Sequence, residues 1–172
     1  MEIVPIAPAH IAGFTRLILG IAREDIFAMR ADSLSAEAVR RFVERQLVDG
    51  APMFVAMDND QLVGWCEVSL GEADFTAHTG VLSMGVLYGY RGQGVGSWLI
   101  RKCIAASRSM GLERIEISVL ENNPKALDFY KQHGFVVEGY KRRSLRIGET
   151  YHDETLLAML LNQAAVQQPA AV

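Results

Sequence analysis

The sequence predicts an α/β fold: a mixed, mostly antiparallel twisted sheet with helices on both faces. Three observations carry this. From Gly80 onward, a β-prone run, a helical pattern, an alternating run and a second helical pattern follow one another with only short connections. Ahead of them stand two helical patterns and a strand pair joined by Asp58-Asn59-Asp60. Finally, 172 residues of which half are apolar suit one well-buried domain and are too few for two comfortable ones.

In chain order, Ile3 to Ala7 reads as a short first strand. Ala9 to Ile21 carries Ile11, Phe14, Leu17, Ile18 and Ile21 at helical spacing. Arg23 to Ser33 reads as a loop. Ser33 and Ser35 offer cap hydroxyls for a helix over Ser35 to Asp49, with Val39, Phe42, Val43, Gln46 and Leu47 on one face and Gly50 as its stop. Met53 to Met57 and Gln61 to Leu70 form the hairpin, and Gly71 to Thr79 a polar loop.

After the strand Gly80 to Val86 comes a helix from Gly94 to Met110, striped by Val95, Leu99, Cys103, Ala106 and Met110 and ended by Gly111. Leu112 to Leu120 alternates as a strand, and Pro124 to His133 is a helix opened by proline and closed by Gly134. Phe135 to Arg146 and Thr150 to Leu161 make a last hairpin. The domain is expected to occupy residues 1–161, with 162–172 a frayed, Ala/Gln/Pro-rich tail.

Net charge −3 and a pI near 5.8 give no basic face for nucleic acid. No apolar run reaches the roughly twenty residues of a membrane span, and the start lacks the pattern of a secretory signal. Cys66 and Cys103 have neither metal nor redox spacing and read as buried thiols, so a cytoplasmic setting is expected.

The chain is organised around the segment from Met84 to Gly96. Four glycines fall at 89, 92, 94 and 96, between a strand and a helix. Such a loop lets several N–H groups converge, and the helix behind it adds its own unpaired N–H groups and positive end. The product is a cradle for a phosphate or pyrophosphate. A P-loop would require a lysine before Ser97, and the dinucleotide fingerprint a G-x-G-x-x-G spacing, so neither matches.

Arg91-x-x-Gly94-x-Gly96 resembles instead the acyl-CoA pyrophosphate loop of the GNAT superfamily of N-acetyltransferases. A second stretch, Asn123-x-x-Ala126-x-x-x-Tyr130-x-x-x-Gly134-Phe135, is similar to another signature of that superfamily. The order of elements also matches, so the resemblance covers almost the whole chain and is to small bacterial members.

The resemblance implies the GNAT fold, acetyl-CoA as co-substrate without a metal, and direct transfer to a primary amine of an amino acid, polyamine or protein N-terminus. The N–H groups of Gly92, Gln93, Gly94, Val95 and Gly96, beside Arg91, would hold the pyrophosphate. Met84 and Val86 would pair with the pantetheine amides, and the Val86 N–H would polarise the thioester carbonyl. Asn123 would hydrogen-bond the CoA arm, and Tyr130 would protonate the departing thiolate.

Many relatives place a glutamate on the central strand, where Leu82, Ser83 and Met84 stand here. The base is therefore sought elsewhere: Glu67 first, with His78, His152 or a water chain as alternatives. Glu24, Asp25, Asp32, Glu72 and Asp74 fall in loops that border the acceptor in this superfamily and lean toward a cationic substrate. Homodimerisation is implied by analogy. A non-catalytic acyl-CoA-binding module of the same fold is the alternative function.

Overall fold

The computed structural model describes residues 1–23 and 35–161. The expected loop beyond Arg23, with Glu24, Asp25, Asp32 and the Ser33 cap, lies outside the described residues, as does the 162–172 tail. The elements are β1 (Glu2–Pro5), α1 (Ile11–Ala22), α2 (Ala36–Val48), β2 (Met53–Asp58), β3 (Gln61–Leu70) and β4 (Thr79–Val86). They are followed by α3 (Val95–Met110), β5 (Arg114–Leu120), α4 (Pro124–Gln132), β6 (Val136–Ile147) and β7 (Thr150–Leu160).

The strands form one sheet in the order β1-β2-β3-β4-β5-β7-β6. Every neighbouring pair is antiparallel except β4 and β5, which the α3 crossover makes parallel. One face is covered by α1 and α2 through Phe14, Leu17, Ile18, Ile21, Val39 and Val43 against Val55 and Trp65. The other carries α3 and α4, where Val95, Leu99, Ile100, Cys103 and Tyr130 pack on Cys66, Val68, Leu82, Ile115 and Ile117. β3 serves both cores because successive side chains point to opposite faces.

Local chemistry explains most boundaries. The Ser35 hydroxyl accepts from the Ala38 N–H at 3.0 Å and starts α2. Asn123 Oδ1 does the same for α4, accepting from the Ala126 N–H at 3.1 Å. Gly111 ends α3 at φ +90, a conformation open to glycine.

Three expectations shift. Pro8 starts a short 3-10 turn, so α1 begins at Ile11 and not at Ala9. Leu47 and Met110, at the solvent edge of their stripes, are exposed, while Ile100, Ile104 and Ser107 of α3 are buried. β5 begins at Arg114 because Leu112 turns into the core before the ladder starts.

Candidate active site

β4 and β5 pair at only three positions, Thr79–Arg114, Gly80–Ile115 and Val81–Glu116. Past them β4 stays on β3 as far as Val86, and β5 stays on β7 as far as Leu120. From Leu82 and Ile117 onward the sheet therefore opens down its middle. The opening is a groove of about 1610 Å³ that runs from the two diverging strands to the glycine loop and the start of α4.

The ladders show which main-chain groups face this opening. Gly71 N–H donates to Thr79 C=O and Leu87 N–H to Val63 C=O, so the odd residues of β4 bond to β3. The N–H and C=O groups of Leu82 and Met84 and the N–H of Val86 consequently point unpaired toward the departed β5, while the Val86 C=O accepts from Arg91 Nε. On the other wall, Glu121 N–H donates to Asp153 C=O and Leu161 N–H to Glu113 C=O, which leaves those of Ser118 and the N–H of Leu120 directed into the groove; the Leu120 C=O accepts from the Asn123 N–H at 3.0 Å. Unpaired main-chain groups inside a sheet call for water or an added strand-like ligand.

At the far end lies the glycine loop. Gly92 and Gly94 sit at φ +74 and +84, with open space where a Cβ would be. The N–H groups of residues 92–97 take no hydrogen-bond acceptor among the described residues; the first N–H that does is Trp98, to Gly94 C=O at 3.0 Å. Side chains brace the loop from behind. Arg91 Nε donates to Val86 C=O at 2.8 Å, Gln93 Nε2 to Gly89 C=O at 2.8 Å, and the Tyr90 hydroxyl to Asp58 Oδ2 at 3.0 Å.

Tyr130 lies beneath the groove on α4, buried but for 6% of its surface, and its ring meets Phe129 and Phe135 edge-on. Burial, and secondarily the neighbouring Cys66, raise its pKa, so the phenol stays a proton donor. Its hydroxyl makes no hydrogen bond among the described residues and borders the groove. Asn123 also lines the groove; its Oδ1 is committed to capping α4, and its side-chain NH2 remains for a ligand.

A family model described as the acetyltransferase (GNAT) family matches residues 19–135. The chain belongs to that family. Among curated relatives, N-alpha-acetyltransferase 30 of Schizosaccharomyces pombe is 30% identical over 122 residues, 69% of this chain and 79% of that one. The L-amino acid N-acetyltransferase AaaT of Escherichia coli is 29% identical over 102 residues, 58% of this chain and 63% of that one. A GNAT superfamily phosphinothricin acetyltransferase from Sinorhizobium meliloti, solved with acetyl-CoA, superposes at TM-score 0.87 and 14% identity over 98% of this chain and 92% of that one. By family and fold the chain is an N-acetyltransferase.

The structure gathers most of the expected site residues of this GNAT domain, but not all. Met84, Val86, Arg91, Gly92, Gly94, Gly96, Asn123 and Tyr130 border one groove. Gln93 and Val95 offer it only main-chain N–H groups, since Gln93 folds back on Gly89 and the Val95 side chain is in the core.

Glu67 requires correction. It faces α2, where its Oε2 accepts from Gln46 Nε2 at 2.7 Å and from the Ser69 hydroxyl at 3.0 Å, and it does not line the groove. Burial pushes its pKa up to about 7, against the opposing effect of those two donors. Strand alternation correctly paired it with Trp65, but that face is closed over by α1 and α2.

His78 is exposed at the start of β4, and His152 lies 3.6 Å from Glu121; neither borders the groove. Glu72 pairs with Arg45 at 2.8 Å, and Asp74 sits in a 3-10 turn, both away from it. Among the described residues that line the groove, the acidic side chain is one that sequence reasoning passed over: Glu154 of β7. Its signal was slight, a polar residue in the alternating run of the last hairpin.

Proposed function

We propose that this chain transfers an acetyl group from acetyl-CoA to a primary amine by direct attack in a ternary complex. The observation that carries the reading is the row of uncommitted N–H groups from Gly92 to Ser97 at the mouth of the splayed sheet. They suit a diphosphate, which accepts several N–H bonds and favours the positive end of α3. From there an extended chain with two amides can run between β4 and β5, bonding to the main-chain groups of Met84 and the N–H of Val86 as an added strand does.

On this reading a thioester would lie beside Tyr130. A main-chain N–H of β4 would stabilise the carbonyl oxygen as charge develops on it, and Val86, whose C=O is already taken by Arg91, keeps its N–H for that purpose. Tyr130 would protonate the leaving sulfur. Two curated relatives are named as an N-alpha-acetyltransferase and an L-amino acid N-acetyltransferase, and an amine acceptor is carried over from those names to this chain.

The test is release of free thiol from acetyl-CoA, with binding followed by calorimetry. Thiol release that depends on an added amine is expected. Acetyl-CoA binding without amine-dependent thiol release would instead mark a binding module, and no acetyl-CoA binding would overturn the reading of the cradle.

A further inference from the structure

We propose that the Glu154 carboxylate accepts the proton of the attacking ammonium and is thus a catalytic residue of the acceptor limb; this rests on the transferase reading above. An alkylamine with a pKa near 10 is almost wholly protonated at neutral pH, so a base must act before nitrogen can attack. β4 supplies none, and Glu67 is turned away behind Gln46 and Ser69.

The sheet register places Glu154. It stands opposite Leu120 on β5, and its strand neighbour Leu156 stands opposite Ser118. Opposed residues share a face, so Glu154, Leu120 and Ser118 lie on one side of the sheet. Ile117, Val119 and Leu157 lie on the other, packed in the same core as Tyr130. Across the opening, Ser83 of β4 occupies the Glu154 face and also lines the groove.

The carboxylate and the phenol therefore approach the splay from opposite faces. That is the arrangement a direct transfer needs, with the amine entering on one side and the thiolate protonated on the other. Charge follows the same axis: Arg91 and Lys125 line the groove near the loop and the start of α4, while among the described lining residues the acidic side chain is Glu154.

Glu154 makes no hydrogen bond or ion pair among the described residues. The titratable groups nearest its face are Lys141, opposite it on β6, His152, two residues back on β7, and Glu121, 3.6 Å from His152 just past the end of β5. In the reaction the ammonium gives one proton to Glu154, and the nitrogen lone pair forms the N–C bond at the thioester carbonyl. The C–S bonding pair leaves with sulfur, which takes the Tyr130 proton. The second proton lost from nitrogen restores the phenol, and Glu154 returns its own to water. Of the three ammonium protons, one stays on the amide, one ends on CoA and one is released.

The experiment compares the full-length wild type, Glu154→Gln and Glu154→Asp. It measures thiol release with acetyl-CoA and a diamine, a free amino acid and an unblocked peptide, from pH 6 to 10. Glu154→Gln is expected to lower kcat about 100-fold or more near pH 7. The loss should shrink toward pH 10, where the amine deprotonates unaided, and the acetyl-CoA dissociation constant should stay within about twofold. Glu154→Asp should retain part of the rate.

A Glu154→Gln rate within about threefold of wild type with the same acidic limb would overturn the proposal. So would a loss equal at every pH and accompanied by weaker acetyl-CoA binding, which marks a structural role. A wild type that binds acetyl-CoA yet releases no thiol with any amine would overturn the transferase reading itself, before any variant is compared.

Discussion

Along the β4–α3 wall of the groove, the groups that face a ligand are main-chain amides, set by glycine conformations and strand parity. Along the β5–α4–β7 wall side chains join the main chain: Asn123, Tyr130 and Glu154. Main-chain groups recognise what every acyl-CoA has in common, whereas side chains carry protons and distinguish acceptors. Substitutions at Tyr130 and Glu154 should then change turnover and spare acetyl-CoA binding, and those in the glycine loop should do the reverse.

The sharpest break between the walls is Tyr130→Phe. The hydroxyl has no hydrogen-bond partner among the described residues, so its loss should barely disturb the fold. Turnover should fall about 100-fold or more, the usual cost of a lost general acid, with the acetyl-CoA dissociation constant unchanged within twofold. Single-turnover rates and calorimetry together check both halves. An unchanged rate would remove Tyr130 from the chemistry.

Glu67 belongs to neither wall, which makes it the control. Its pKa of about 7 in the fold lies above the ordinary carboxylate value, so the folded chain holds the proton more tightly than the unfolded one. Stability is full below the unfolded pKa and declines as pH rises through about 7, by something on the order of 3 kcal/mol. Glu67→Gln, which can still accept from Gln46 and Ser69, should flatten this decline and be more resistant to urea than wild type at pH 8. If Glu67→Gln lost most of its turnover near pH 7 while Glu154→Gln kept its own, the proton acceptor would be Glu67.

These assignments show why one wall was legible in the sequence and the other only partly so. The glycine spacing after β4 and the Asn123–Tyr130 spacing lie within short windows, where each residue type has a local backbone or helix-face reason. The order of elements follows from hydrophobic periodicity. Glu154 owes its place to a register between strands more than thirty residues apart, Leu120 with Glu154, which no local pattern encodes. The reading of Glu67 failed for the same reason in reverse: alternation gave its face correctly, but which helices cover that face is decided by tertiary packing.

Gly94→Ala tests the main-chain wall. No atom lies within 4 Å of the added Cβ, so the whole penalty comes from φ +84 at the start of α3. Left-handed backbone costs a non-glycine residue roughly 1–2 kcal/mol. If the loop relaxes to relieve that strain, the N–H groups of Gly94 to Ser97 lose their convergence. The acetyl-CoA dissociation constant should rise about tenfold while kcat at saturation holds. A fall in kcat with unchanged affinity would mean that the loop does not hold the co-substrate.

The smallest expected effect tests whether that wall must be held from behind. The Tyr90 hydroxyl bonds Asp58 Oδ2 at 3.0 Å, tying the glycine loop to the β2–β3 turn 32 residues earlier in the chain. Tyr90→Phe removes the tie and keeps the ring's packing against the core. The amides remain, but a freer loop must be ordered when the ligand binds, and that cost appears in affinity and not in the chemical step. A rise of about threefold in the acetyl-CoA dissociation constant is expected, with kcat unchanged. Asp58→Ala should match it, and the double variant should be no weaker than either single one, because both remove the same bond. Additive losses would show that Tyr90 and Asp58 act on the loop separately, leaving its convergence to glycine geometry, Arg91 and Gln93.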